Sequence, residues 1–150
     1  MVYLRHALGG WNQSSRVFPT ALQVGCCNDE CMSLSVLVVD DDPTFRALAA
    51  DMLTAAGLTV LGEAGSARAA LAAAIDLKPD AALVDFDLPD GNGVTLACEL
   101  RNLPTRPLVV LTSADGDAVR PEHVRRAGAI AFVHKADLSD DGLLELFAPG

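Results

Sequence analysis

From Ser35 onward, short apolar runs alternate with stretches of helical spacing. "SVLVVD" (35–40) is continuously apolar up to its last residue, which predicts a strand buried on both faces. After it, Phe45, Leu48, Ala49, Met52, Leu53 and Ala56 recur at helical spacing until Gly57 stops the helix. The unit then repeats. "LTVLGEA" (58–64) predicts a second strand, and Ser66 caps an Ala-rich helix running to about Leu77, closed by Lys78-Pro79. "AALVDF" (81–86) predicts a third strand, followed by the turn-rich "DLPDGNG" and a helix over 94–102. "PLVVLTS" (107–113) precedes a short helix around 118–127, and "AIAFVHK" (129–135) precedes a last helix over roughly 139–147.

Five such units with continuous rather than alternating strands predict an α/β fold, a doubly wound five-stranded parallel sheet covered by helices on both faces. An eight-stranded barrel would need about twice the length. Residues 1–33 show no sustained periodicity and mix Gly, Asn, Gln, Ser and Pro with isolated apolar residues, so they read as a flexible extension ahead of one domain at 34–150. Met32, which opens "MSLSVLVVDDDP", is a candidate for the true start.

Charge narrows the partners. A net charge of −9 argues against nucleic acid, whose phosphates need clustered Lys and Arg. Arg120, Arg125 and Arg126 form the densest basic patch and suit a solvated helix face or a protein docking surface. No apolar run approaches the roughly 18 residues of a membrane span, and the N-terminus lacks a signal peptide's apolar core, so the expectation is a cytoplasmic protein with no membrane contact. Cys26, Cys27 and Cys31 lack the C-x-x-C pairing or nearby His of a zinc site, and Cys98 shares a helical stripe with Val94 and Ala97.

The chemistry sits at the strand ends. "VVDDDP" (38–43) ends an apolar strand in three carboxylates, a repulsion that a cation or protonation must offset. In open parallel sheets, sites form at the carboxyl ends of strands, and those ends carry Asp40 and Asp41, Asp85, Thr112 and Ser113, and Lys135. In the strand order 2-1-3-4-5 the first and third strands are neighbours and Asp40, Asp41 and Asp85 converge, a hard oxygen set suited to Mg²⁺. Beside a metal, Asp85 could attack phosphorus and form an acyl phosphate, with Lys135 neutralising the phosphoryl oxygens and Thr112 donating a hydrogen bond.

With "VVDDDP" (38–43), "LVDFDLPDGNG" (83–93), "VLTSA" (110–114) and "FVHK" (132–135) in order, the chain resembles a two-component response-regulator receiver domain, from about Ser35 to the C-terminus. The resemblance implies a flavodoxin-like fold and Asp85 as phosphoacceptor, supplied by a phosphohistidine on a sensor histidine kinase. It implies Mg²⁺ held by Asp40, Asp41, Asp85 and the main-chain carbonyl of Asp87, with Thr112 and Phe132 as a switch pair and Asp87 and Ala114 as rate-tuning positions. The fourth helix, fifth strand and fifth helix would form the surface that changes. Asp42 falls outside the ligand set and is assigned to capping the helix that starts at Pro43.

Three features depart from the family pattern. Ala136 stands where many receivers carry a cis proline; a non-proline cis bond costs about 3 kcal/mol, so the loop is free to be trans and shaped differently, and the sequence alone leaves the bond open. Gly142 weakens the last helix by roughly 1 kcal/mol relative to Ala. Asp87 adds a carboxylate two residues after the acceptor.

Gly150 follows Lys135 by 15 residues, so the expectation is a stand-alone receiver that is no classical turnover enzyme and acts through a kinase and a phosphotransfer or effector protein. Two alternatives stand beside it. "DFD" (85–87) resembles the nucleophile motif of haloacid-dehalogenase-type phosphatases, although Leu88-Pro89 follows where Gly-Thr is usual. The other is a receiver-like interaction module that needs no phosphate.

Overall fold

A computed structural model describes residues 2, 3, 34–115, 117 and 119–147. In chain order its elements are β1 (Val2–Tyr3), β2 (Ser35–Val39), α1 (Pro43–Ala55), β3 (Thr59–Ala64), α2 (Ala67–Leu77), β4 (Ala81–Asp85), β5 (Asp87–Leu88), β6 (Gly91–Asn92), α3 (Gly93–Arg101), β7 (Leu108–Ser113), α4 (Pro121–Ala127), β8 (Ala131–His134), a 3-10 turn (Lys135–Asp137) and α5 (Asp140–Phe147).

The apolar strands form the parallel array β3-β2-β4-β7-β8, the expected 2-1-3-4-5 order. Successive side chains of a strand point to opposite faces, which divides the core into two layers. Leu37, Val39, Ala82 and Val84 pack with Ala70, Ala74, Leu96, Leu100 and Val124 on one side. Val36, Val38, Ala81 and Leu83 pack with Ala49, Leu53, Leu146 and Phe147 on the other. Burying both faces is what the unbroken apolar runs required.

Local signals set the boundaries. Asp42 accepts a hydrogen bond from the Thr44 amide at 2.9 Å ahead of Pro43, Ser66 from Ala69 at 3.1 Å, and Asn92 from Thr95 at 2.9 Å. Ser139 caps the last helix through the Gly142 amide at 3.0 Å, and Leu146 and Phe147 bury its far end, which offsets the interior glycine.

The structure also corrects some bounds. The fourth helix starts at Pro121, not near 118, because proline lacks an N–H and suits the first helical position. The last strand ends at His134, and Lys135 already belongs to the 3-10 turn. "DLPDGNG" closes on itself as the two-residue hairpin β5-β6. Among the described residues no peptide bond is cis, so Lys135-Ala136, which the sequence left open, is trans.

The proposed extension is described only at Val2 and Tyr3, which add antiparallel to the outer edge of β8 as a sixth strand. Residues 4–33, with Cys26, Cys27, Cys31 and Met32, lie outside the described residues. No described helix is long and apolar enough to cross a membrane.

Candidate functional site

Because β2, β4, β7 and β8 run parallel side by side, their carboxyl ends deliver Asp40 and Asp41, Asp85, Thr112 and Lys135 to one rim of the sheet. Asp40 is fully buried, Asp85 is 5 % exposed, and Asp41 faces solvent. One carboxylate oxygen from each of the three lies within 4.8 Å of the others. Lys135 Nζ sits 2.5 Å from Asp40 Oδ2 and 3.6 Å from Asp85 Oδ2, with the Phe45 ring on its other side at 4.4 Å.

The backbone fixes the acids. Asp40 Oδ1 accepts the Asp42 amide at 2.8 Å, and the Asp40 amide donates to the Ala64 carbonyl at 3.0 Å. Asp85 Oδ1 receives the Asp87 amide at 3.4 Å. Burial, then the charge of Asp40, raises the Asp85 pKa to about 6 against the opposing pull of Lys135. For Lys135, burial works against the ammonium, but its contacts with Asp40 and Asp85 outweigh it and raise the pKa.

The donor set fits a hard divalent cation. Asp40 Oδ2 is buried and accepts no properly angled hydrogen bond among the described residues, facing only the crowded ammonium. Two more carboxylates converge beside it, one open to solvent through which metal-bound water can remain. The group could therefore hold Mg²⁺, with the buried Asp85 carboxylate among its ligands.

Thr112 pairs with Asp85 across β4-β7, and its hydroxyl donates to the Val84 carbonyl at 3.4 Å. Phe132 is completely buried in the core layer of Leu111 and Val119. The ring is thus already inside. Asp87 and Ala114 are both exposed at the rim, where a ligand on Asp85 would meet them.

Several contributors escaped the sequence reading. Gly93 packs so closely that a Cβ there would lie 2.5 Å from the Asp85 carbonyl oxygen and 3.0 Å from Phe86 Cα. Arg46 donates from Nη1 to the Asp40 carbonyl at 2.6 Å while its Nε meets Glu63 at 3.2 Å, tying the ends of β2 and β3 together. Phe86, next to Asp85, lies against His123 of α4 with ring centroids 5.4 Å apart. Asp90 accepts the Ala67 and Arg68 amides at 2.8 and 3.0 Å and so ties the loop after β4 to the start of α2. The Arg46 and Asp90 partners lie on other elements at long range, so spacing gives no sign of them. Gly93, ahead of a helix and after a strand, was the more detectable case.

Comparison with known proteins agrees with this geometry. Residues 36–146 match the response regulator receiver domain family. The chemotaxis protein CheY of Thermotoga maritima is 33 % identical over 104 residues, covering 69 % of this chain and 87 % of that protein. The transcriptional regulatory protein PdtaR of Mycobacterium tuberculosis is 34 % identical over 108 residues, covering 71 % of this chain and 52 % of its own. A protein-glutamate methylesterase/protein-glutamine glutaminase of Archaeoglobus fulgidus is 34 % identical over 105 residues, 69 % of this chain but 30 % of that protein. The chain thus spans from about a third to about half of these two longer relatives. Among solved structures, the receiver domain of the putative response regulator NarL from Mycobacterium tuberculosis superposes with a TM-score of 0.66 at 30 % identity, covering 75 % of this chain and 91 % of that one. The shared strand order, the acidic cluster with its lysine, and a family match over residues 36–146 together make this chain a member of the response regulator receiver domain family.

Proposed function

We propose that this receiver domain accepts a phosphoryl group on Asp85 from a phosphohistidine of a sensor histidine kinase and signals by a change in protein contacts. The observation that carries this reading is the buried Asp85 carboxylate, clustered with Asp40 and Asp41 and with the Lys135 ammonium, which contacts both Asp40 and Asp85.

Asp85 Oδ attacks phosphorus, the P–N bond breaks, and the imidazole leaves with the bonding electron pair while an acyl phosphate forms. Lys135 lies within reach of both the acceptor and Asp40 and stabilises charge on the phosphoryl oxygens. Asp40, Asp41, Asp85 and the Asp87 carbonyl would hold Mg²⁺, which would neutralise negative charge gathered at phosphorus. Thr112 exchanges its 3.4 Å bond to Val84 for one to the phosphoryl group, favouring one of two packings around Phe132.

Asp87 and Ala114 govern the access of water to the acyl phosphate. The partners are the kinase and a phosphotransfer or effector protein. The domain at 34–150 transfers and loses its phosphoryl group without acting as a turnover enzyme. The DFD motif lies at the end of the third strand of the parallel array and continues as Leu88-Pro89, which does not suit a dehalogenase-type phosphatase.

Intact-protein mass after incubation with acetyl phosphate tests this. A single Mg²⁺-dependent phosphoryl adduct, absent from Asp85→Asn, is expected. No adduct from acetyl phosphate or from a phosphorylated histidine kinase, with the protein folded, would favour the phosphate-independent interaction module.

A further inference from the structure

Of the two edges of the sheet, only one carries its own protection. β3 presents Glu63 and Gly62, and its pairing with β2 slips between Val36 and Leu37, features that discourage pairing with another chain. β8 is Ala131, Phe132, Val133 and His134, without a Lys, a carboxylate, a proline or a slip in its register with β7. What lies on that edge is β1, with Val2 opposite Val133 and Tyr3 opposite Phe132.

The register identifies the bonds. The Leu108 amide donates to the Asp80 carbonyl and the Phe86 amide to the Thr112 carbonyl, so the main-chain groups of 108, 110 and 112 in β7 turn toward β4 and those of 109, 111 and 113 toward β8. With Leu111 opposite Phe132 in a parallel pair, the groups that meet them are those of Ala131 and Val133, and Phe132 turns outward. Tyr3 and Phe132 therefore form the hydrogen-bonded pair, and Val2 and Val133 the close non-hydrogen-bonded pair.

The connection has ample length. β1 lies four strand positions from β2, about 19 Å at ~4.8 Å per strand, while residues 4–34 could span roughly 100 Å. The row Asp85, Thr112, Val133, Val2 also runs unbroken across four adjacent strands, so the covered edge and the acidic site share one ladder.

We propose that Val2–Tyr3 is an intramolecular cover for the β8 edge, which prevents that edge from pairing with the β8 edge of a second copy of this chain. The proposal goes beyond phosphoryl transfer and does not rest on it.

The test uses the full-length chain, with Val2→Gly/Tyr3→Gly as a variant that keeps every amide but disfavours strand pairing. In the parent, nuclear magnetic resonance should show an Hα–Hα contact between Val2 and Val133 and a slowly exchanging Phe132 amide. In the variant the contact should vanish, Phe132 should exchange at least about tenfold faster with Val133 unchanged, and light scattering should show dimer where the parent is monomer. Absence of the Val2–Val133 contact in the parent, or a variant that stays monomeric at the same concentrations, would overturn the proposal. Equal acceleration at Val133 would also overturn it, since β1 would then support the sheet rather than cover it.

Discussion

Lys135 is held more closely by Asp40 than by Asp85, with Nζ 2.5 Å from Oδ2 of the first and 3.6 Å from Oδ2 of the second. Three carboxylates share one small volume, and this ammonium is in direct contact with two of them. The chain therefore offsets the repulsion among Asp40, Asp41 and Asp85 with a lysine of its own, in a cluster that could also take a divalent ion.

Replacing that ammonium should expose the unbalanced charge. Lys135→Met keeps most of the side-chain volume but leaves Asp40 buried without its counterion, a change expected to cost about 2 kcal/mol at neutral pH. In EDTA the melting temperature should fall by roughly 5–10 °C. Mg²⁺ should recover more stability in the variant than in the parent, because it then balances more charge. Equal recovery in both proteins would contradict the charge-balance account.

Asp85 should make the metal-free protein less stable as pH rises. Its pKa is lifted from 3.8 to about 6, first by burial and then by Asp40. A carboxyl whose folded pKa is raised binds its proton more tightly in the folded chain. Its stabilising contribution is complete below about 4 and is lost as pH climbs through about 6. Asp85→Asn has no charge to bury, so in EDTA at pH 7.5 it should be more stable than the parent by up to about 3 kcal/mol. That advantage should shrink to almost nothing at pH 4. Denaturant titrations at both pH values decide the matter, and a variant no more stable at pH 7.5 would refute it.

Gly93 and Gly91 offer a matched pair within one loop. A Cβ at Gly93 would meet the Asp85 carbonyl oxygen at 2.5 Å and the Phe86 main chain at 3.0 Å, whereas a Cβ at Gly91 meets nothing within 4 Å. Gly93→Ala must push the acceptor loop outward and should cost about 1–3 kcal/mol, the usual range for overpacking. Gly91→Ala should stay within about 0.5 kcal/mol of the parent, as surface changes do. Urea midpoints for the two variants that coincide would refute the close-packing account.

Much of the site was legible because its residues sit at strand ends. Asp40, Asp41, Asp85, Thr112 and Lys135 each follow an apolar run, and a parallel sheet must bring those ends together. Asp42 was legible for a different reason, since an acid directly before Pro43 is a local helix signal. Other features depend on contacts that no local pattern carries. Arg46 finds Glu63 only after β3 is laid beside β2, and β1 is two residues long, too short to show any period. Phe132 was placed on the right strand, but an aromatic in an apolar run reads the same whether its ring packs inside or turns out. The start of α4 was within reach, because Pro121 marks the first helical position and the expected start three residues earlier ignored it.

Arg46 should set the direction of the acidic pair through the main chain, without touching a ligand carboxylate. Its Nη1 donates to the Asp40 carbonyl and its Nε to Glu63, so one forked group holds the Asp40–Asp41 peptide against β3. Arg46→Ala would confuse two effects, since removing a positive charge near three carboxylates favours a cation while losing the fork disfavours it. Arg46→Lys separates them. Lysine retains the charge but cannot make both bonds in the same plane, so only orientation is lost. Calorimetric titration of Arg46→Lys with Mg²⁺ should show binding weakened by about 3- to 10-fold, equivalent to about 0.7–1.4 kcal/mol. Glu63→Gln, which retains an acceptor for Nε, should bind within about twofold of the parent. If Arg46→Lys binds Mg²⁺ as tightly as the parent, the guanidinium is only a surface tie between β2 and β3, and the Asp40 backbone is held well enough by the Ala64 carbonyl alone.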